Sequence, residues 1–414
     1  MDSSNDGKEV MTGRRPLRIG LFTHSTNPRG GVVHVLELAA ALGELGHDVV
    51  VHAPDSTGRG FFRPPPAEVR HVLIPARPVS GPLAELVWQR IVEYFEFLRG
   101  YNEKFDIYHA HDGISGGALA LAARAGTIPG FVRTIHHLDE FADPYLRDTQ
   151  DDSITRADAH FCVSRLWQST LRDRYGIEAA VVNNGVDVAR YTPEPLPGDE
   201  AICRSFFDDS TRPMFLAVGG IERRKNTLRI LQAFLHVRRA MPNAGLLIVG
   251  GASLLDHSDY RAEFDRLLVD AGEEDRRSVQ LTGPLPERAM APIYRACDAL
   301  VFPSITEGFG LAVIEAMACG TPVITSRIAP FTEYLSENDA LLVAPENVKE
   351  IAVAMMRSLD PTVRASLRAG GFNVAARFRW SSVADSTVNR YREQVMRQEG
   401  EPSARNAFSS SMAR

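Results

Sequence analysis

The sequence predicts an α/β protein built from two doubly wound, Rossmann-like domains that face one another across a cleft. Three observations carry this. Short apolar runs alternate with amphipathic stretches of helical period through most of the 414 residues, the order that builds parallel sheets covered by helices. A series of strand, glycine turn and helix opens near residue 17 and restarts near residue 214. Between the two series, residues 191–198 hold three prolines and read as a linker outside either core. The chain is also too long for one compact core.

In chain order, residues 17–22 (LRIGLF) read as a buried strand. A glycine turn follows, then a helix with Val32, Val35, Leu36, Ala39 and Leu42 at helical spacing. Gly43 and Gly46 end it, and residues 48–52 form the next strand. Further strands are expected at 69–74, 107–110, 131–135, 160–163 and 181–182. The second series has a strand at 214–218, a polar turn at 219–226 and a helix over 227–239 with Leu228, Leu231, Phe234 and Leu235 on one face. Strands at 246–249, 279–281, 300–302 and 322–325 continue it. This gives a first domain over 14–190, a second over 200–378, and polar, small-residue tails at 1–13 and 400–414 expected to be mobile.

Composition excludes several classes. Lys and Arg number 46 against 52 Asp and Glu, a formal net charge of −6, so nucleic acid is not an expected partner. The four cysteines, Cys162, Cys203, Cys297 and Cys319, form no C-x-x-C pair, and no histidine group has zinc spacing. Free thiols in a reducing compartment and no metal site are expected. The N-terminus lacks an apolar signal core, and no run of about 18 apolar residues spans a membrane. The expected location is cytoplasmic, with peripheral contact at the inner face of a membrane left open.

In open α/β sheets, ligands bind beyond the carboxyl ends of the strands, so residues just after strands carry the functional weight. Four groups sit there. Asn27-Pro28-Arg29-Gly30-Gly31 opens a helix, where backbone N–H groups suit an anion. Gly219-Gly220-Ile221-Glu222-Arg223-Arg224-Lys225-Asn226 places three cations ahead of a helix, against its dipole, a conflict that a bound anion removes. Glu307 lies in the turn of Pro303-Ser-Ile-Thr-Glu-Gly-Phe-Gly-Leu311, and Glu315 lies about one turn inside the following helix, leaning toward its start. His109, His111, His136 and His137 close two successive strands. There is no Asp-x-Asp, no G-x-S-x-G elbow, no Walker loop and no dinucleotide G-x-G-x-x-G at the first turn.

From about Arg18 to Tyr391 the chain resembles the retaining, nucleotide-sugar-dependent glycosyltransferases of group 1, or family four, with the GT-B fold. The most specific match is residues 307–324, EGFGLAVIEAMACGTPVI, which follows the family's E-x7-E signature and its A-x-G-x-P-V. Asn184-Gly-Val-Asp187, Gly30-Gly31 with His34, and Asp106-Ile-Tyr-His-Ala-His111 are similar to three further family segments. One departure matters: the family's G-R-x-x-x-x-K has Arg where this chain has Gly220.

The resemblance implies hexosyl transfer from a nucleoside-diphosphate sugar, UDP- or GDP-linked, to an unidentified small-molecule, glycan or lipid hydroxyl. It implies retention of configuration with no cofactor, and the lack of any Asp-x-Asp pair makes metal independence the expectation. His136, with His137 as fallback, would lie against the sugar, and Glu307 would face its ring. Lys225 would bind phosphate, with Arg224 or Arg223 replacing the missing Arg and Arg224 favoured by sequence proximity. Gly30, Gly31, Phe309, Gly310 and Leu311 would offer amides to the diphosphate, and Glu315 would bind the ribose. The final helical stretch, 380–396, would cross back onto the first domain. A nucleotide-sugar 2-epimerase and a catalytically impaired sugar-nucleotide-binding relative are the competing readings. The sequence does not fix the oligomeric state.

Overall fold

The structure, a computed structural model, describes residues 15–206, 211–251 and 258–400. The two predicted tails fall outside the described residues, except Gly400, which closes the last helix. The first sheet contains β1 (Arg18–Phe22), β2 (Asp48–Asp55), β3 (Val69–Pro75), β4 (Ile107–Ala110), β5 (Val132–Ile135), β6 (Ala159–Cys162) and β7 (Ala180–Val181). They lie in the order β3-β2-β1-β4-β5-β6-β7, all parallel. The second sheet contains β8 (Met214–Val218), β9 (Gly245–Val249), β10 (Val279–Gly283), β11 (Ala299–Phe302), β12 (Val323–Ser326) and β13 (Leu341–Val343). Its order, β10-β9-β8-β11-β12-β13, repeats that of the first, again all parallel.

The central strands are buried along their whole length, as β4, β5, β9 and β11 show. Helices on both faces leave no solvated side, so these strands read as continuous apolar runs rather than as alternation. The strand order reverses between β1 and β4 and between β8 and β11. These switch points open the crevices in which such sheets bind ligands.

Three differences from the sequence reading stand out. β2 runs to Asp55, three residues past its expected end. β13 was not expected; its three residues are too few for a period to register. The segment 191–198 is not wholly outside the cores. Tyr191 is buried with its ring centroid 6.1 Å from that of Tyr294, and Asp199 just beyond is bonded to Arg295. Proline content marks where regular structure stops, not whether a side chain packs.

Two of the contacts that join the domains involve the starts of helices. The last helix, Trp380–Gly400, packs Trp380, Val383, Ala384, Val388 and Tyr391 into the core of the first domain. Its approach requires Gly185, where a Cβ would meet the Trp380 nitrogen at 2.5 Å. In addition, Glu333 of the second domain accepts hydrogen bonds from the Arg165 and Leu166 amides, 2.8 and 2.7 Å away. These begin the helix Arg165–Tyr175, whose own Ser164 makes no side-chain cap. A carboxylate from the opposite domain thus satisfies orphan N–H groups and the helix dipole.

Candidate active site

The β8–β11 switch point carries charge. Lys225 Nζ donates to Glu307 Oε2 at 2.6 Å, and Arg224 Nη1 donates to Glu307 Oε1 at 3.0 Å. The two cations and the carboxylate thus meet from the loops after β8 and β11. The loops are tied together by Asn226 Nδ2 on the Pro303 carbonyl and by the Ile305 amide on the Arg224 carbonyl, both at 2.9 Å. The Lys225 stem lies across Gly219, where a Cβ would stand 2.8 Å from Lys225 Cε. Burial pulls the ammonium below its usual range against the opposing pull of Glu307. Burial alone would raise the Glu307 carboxyl, but Arg224 and Lys225 hold it down to about 2. Arg223, by contrast, turns away and stacks over Tyr260, 5.2 Å from the ring centroid.

Gly220 has a structural reason to lack a side chain. Its φ is +74°, and a Cβ would lie 2.6 Å from the Gly251 carbonyl oxygen. The ends of β8 and β9 touch backbone to backbone here, so an arginine at 220 requires a different loop.

Beyond β11, Phe309 is buried with its ring stacked on Tyr334 at 5.0 Å between centroids. Its side chain is therefore core, and only its backbone is available to a ligand. Gly310, at φ +96°, precedes the helix Leu311–Ala318 and supplies no side-chain cap.

The β1–β4 switch point carries imidazoles instead. His34 in the helix Gly30–Glu44, His111 after β4 and His136 after β5 gather there. His136 sits between the domains. A Cβ on Gly31 would be 3.8 Å from its ring, and one on Gly308, in the other domain, would be 2.2 Å from its carbonyl oxygen. Burial, with neighbouring His34 and Arg133, lowers the His136 pKa well below its usual value, so the ring is uncharged at neutral pH. His137 points outward, 3.4 Å from Asp139. His109 is held inside the fold, bonded to Tyr391 and Thr134.

Glu315 lies in the helix Leu311–Ala318, apart from the Lys225 group, and its Oε2 accepts from Tyr294 at 2.9 Å. Burial, against the Tyr294 hydrogen bond and aided by the charges of Glu37 and Glu287, raises its pKa to about 7.

Two family models match this chain. Residues 199–368 match glycosyl transferases group 1, and residues 28–190 match glycosyltransferase family 4. The chain is a group 1 glycosyltransferase. Among its relatives, the D-inositol 3-phosphate glycosyltransferase of Acidothermus cellulolyticus is 27% identical, over 91% of this chain and 90% of the relative. That of Frankia alni is 29% identical, over 89% and 95%. Among solved structures, sucrose-phosphate synthase from Thermosynechococcus elongatus aligns with a TM-score of 0.74 at 23% identity, covering 92% of this chain and 99% of that one. Anabaena HepE in complex with UDP-glucose aligns at 0.71 and 18%, over 91% and 100%. These likenesses establish the GT-B fold.

Within this glycosyltransferase, sequence reasoning missed residues that act through partners distant in the chain. Arg190 and Arg63 each place Nη1 2.6 Å from Glu37 Oε1 and 2.8 Å from Glu287 Oε1, bridging the domains. Tyr294, the partner of Glu315, sits in an otherwise ordinary helix. Asn184 could have been found from the NGVD segment; its Oδ1 lies 2.8 Å from His34 Nδ1. No described helix is long and apolar enough to cross a membrane.

Proposed function

We propose that this glycosyltransferase moves a hexosyl group from a nucleoside-diphosphate sugar to a hydroxyl acceptor with retention of configuration. The observation that supports it is the Arg224–Glu307–Lys225 group lying opposite His136, charged on one side of the cleft and uncharged on the other. As the sugar leaves, negative charge builds on the departing phosphate and positive charge on the ring. Lys225 and Arg224 are the groups for the first, since preorganised cations in a water-poor site stabilise developing charge strongly. Glu307, held ionised, serves the second. His136, uncharged, hydrogen-bonds the sugar hydroxyls. Glu315 takes the ribose, and amides from Gly30, Gly31 and Phe309 to Leu311 flank the diphosphate. The leaving phosphate takes the acceptor proton, so the reaction needs no covalent nucleophile and no divalent metal.

The acceptor we favour is a phosphorylated cyclitol, by analogy with the relatives named D-inositol 3-phosphate glycosyltransferase. The test is a panel of UDP- and GDP-hexoses by thermal shift, then mass spectrometry and NMR of products with D-inositol 3-phosphate as acceptor. An α-linked product from an α-linked donor, formed equally after dialysis against EDTA, is expected. Inversion, or activity lost to EDTA and restored by magnesium, overturns the mechanism. A free epimerised sugar formed without acceptor points to the 2-epimerase reading. Gly220 in place of arginine motivates a second reading, a donor-binding protein without turnover. Tight donor binding with no product across a broad acceptor panel would establish it.

A further inference from the structure

We propose that His34, His111 and His136 form a binding site for a divalent transition-metal ion of the zinc class, and that an ion held there withdraws His136 from the sugar. The three rings come from one helix and two strand ends, so no spacing in the sequence announces them. One ligand atom from each lies within 4.8 Å of the others. His136 Nε2 and His111 Nδ1 are 3.4 Å apart. Two nitrogens on a tetrahedral zinc with bonds of about 2.0–2.1 Å are separated by about 3.4 Å.

His34 is oriented as a ligand would be. Its Nδ1 faces the Asn184 amide oxygen at 2.8 Å. That oxygen can only accept, so Nδ1 carries the proton and Nε2 presents its lone pair. Metal-binding histidines are fixed through their other nitrogen in this way. His34 Nε2 is buried and has no hydrogen-bond partner; nor has His111 Nε2. Buried polar atoms without partners are uncommon and costly, and coordination through His34 Nε2 removes that cost. Three imidazoles with no carboxylate suit zinc, nickel or copper rather than magnesium or calcium. Arg133, the nearby buried cation, is opposed by Asp112. Binding forms three nitrogen–metal bonds. The proton shared between His111 and His136 moves to the other nitrogen of its own ring, so each imidazole keeps one N–H and none is released.

The inhibitory consequence rests on His136 facing the sugar; the binding of the ion does not. The test titrates Co2+ into the full, metal-free chain without donor and reads visible d–d absorption. One equivalent with the intense bands of a nitrogen-rich tetrahedral site, displaced by Zn2+, is expected. His34→Gln, His111→Gln and His136→Asn should each weaken Co2+ at least tenfold, and Asn184→Ala about tenfold. Thermal melts identify the variants that fold. Protection of His136 from diethyl pyrocarbonate by Zn2+, read by mass spectrometry, needs no variant. Absent d–d bands, unchanged spectra in the folded variants, or no protection of His136 overturns the site. A bound ion without inhibition of transfer keeps the site and overturns the assignment of His136 to the sugar.

Discussion

At the β1–β4 switch point the first domain gathers His34, His111 and His136, with His136 left uncharged by burial; at the β8–β11 switch point the second gathers Arg224, Lys225 and Glu307, with Glu307 kept ionised by its neighbours. The strand order around the two points is the same. Buried ionised groups persist only where opposite charge and hydrogen bonds compensate their lost hydration. Glu307 has both from Lys225 and Arg224. The imidazoles have hydrogen bonds to Asn184 and to one another but no opposite charge, so burial discharges them and they become neutral hydrogen-bonding groups. One scaffold thus offers a charged face suited to a diphosphate and a neutral face suited to sugar hydroxyls.

Removing Lys225 should break this contrast most severely. Lys225→Ala is expected to cut turnover about 10³-fold, the upper range for losing one group that stabilises transition-state charge. It should also cost about 1.5–3 kcal/mol of stability, because Glu307 loses the Lys225 hydrogen bond and keeps only Arg224 and the Gly308 amide. Glu307 titrates from an ordinary 4.5 down to about 2 in the fold. Its stabilisation is present above pH 4.5 and lost as pH falls toward 2. Adding Glu307→Gln to the Lys225 variant should recover stability above pH 4.5 without recovering turnover. Urea melts and steady-state kinetics check both halves, and near-normal turnover in Lys225→Ala refutes the charged role.

On the neutral side, His136→Ala should lower turnover by about 10²-fold while leaving affinity for the free nucleoside diphosphate unchanged. His137→Ala should change neither, because that ring faces Asp139 and solvent. Kinetics and calorimetry on the pair separate the two. Loss of activity in His137→Ala with none in His136→Ala reverses the assignment.

Both sheets were legible in the sequence because their central strands are continuously buried and each first strand leads through a glycine-containing turn into a helix. β13 was not, since three residues carry no period. Glu307, Lys225 and His136 drew notice in the sequence because they lie in loops that follow strands, and Glu315 because it stands inside the next helix, eight residues after Glu307. The charge bridge of Arg63, Arg190, Glu37 and Glu287 was not, because Arg63 is 224 residues from Glu287. Nor was the gathering of His34 with His111 and His136. Only the assembly of the sheet and the packing of the two domains bring such positions together, and local pattern holds no trace of it.

The choice between the two arginines beside Gly220 sharpens the contrast further. Arg224 shares Glu307 with Lys225, whereas Arg223 lies over Tyr260. A charge-assisted hydrogen bond contributes about 1.5–3 kcal/mol. Arg224→Ala should therefore weaken nucleoside-diphosphate binding about ten- to a hundredfold, with the bare nucleoside unaffected. Arg223→Ala should leave both alone. Calorimetry with UDP and uridine reads the difference, and equal losses in both variants contradict it.

The smallest expected effect on binding belongs to Glu315, which breaks the rule that the second domain's site is fully ionised. Its pKa rises from 4.5 to about 7 through burial, against the hydrogen bond from Tyr294. The folded state therefore holds this proton more tightly than the unfolded chain. Stability is lost as pH rises from 4.5 to about 7, in all about 3 kcal/mol at 1.36 kcal/mol per pKa unit. Glu315→Gln cannot titrate and keeps an oxygen for Tyr294. Going from pH 5 to pH 8, it should gain stability relative to wild type by an amount of that order. Donor binding should move the other way. Ribose hydroxyls donate to a carboxylate more strongly than to an amide, so binding favours the ionised form and wild-type affinity should rise between pH 6 and pH 8. The variant should bind several-fold more weakly at pH 8, with the gap narrowing at pH 6. Urea melts and UDP titrations at both values, in buffers of different ionisation enthalpy, measure stability, affinity and the released proton together. Equal affinity of wild type and variant at both pH values removes Glu315 from the ribose, whatever the melts show.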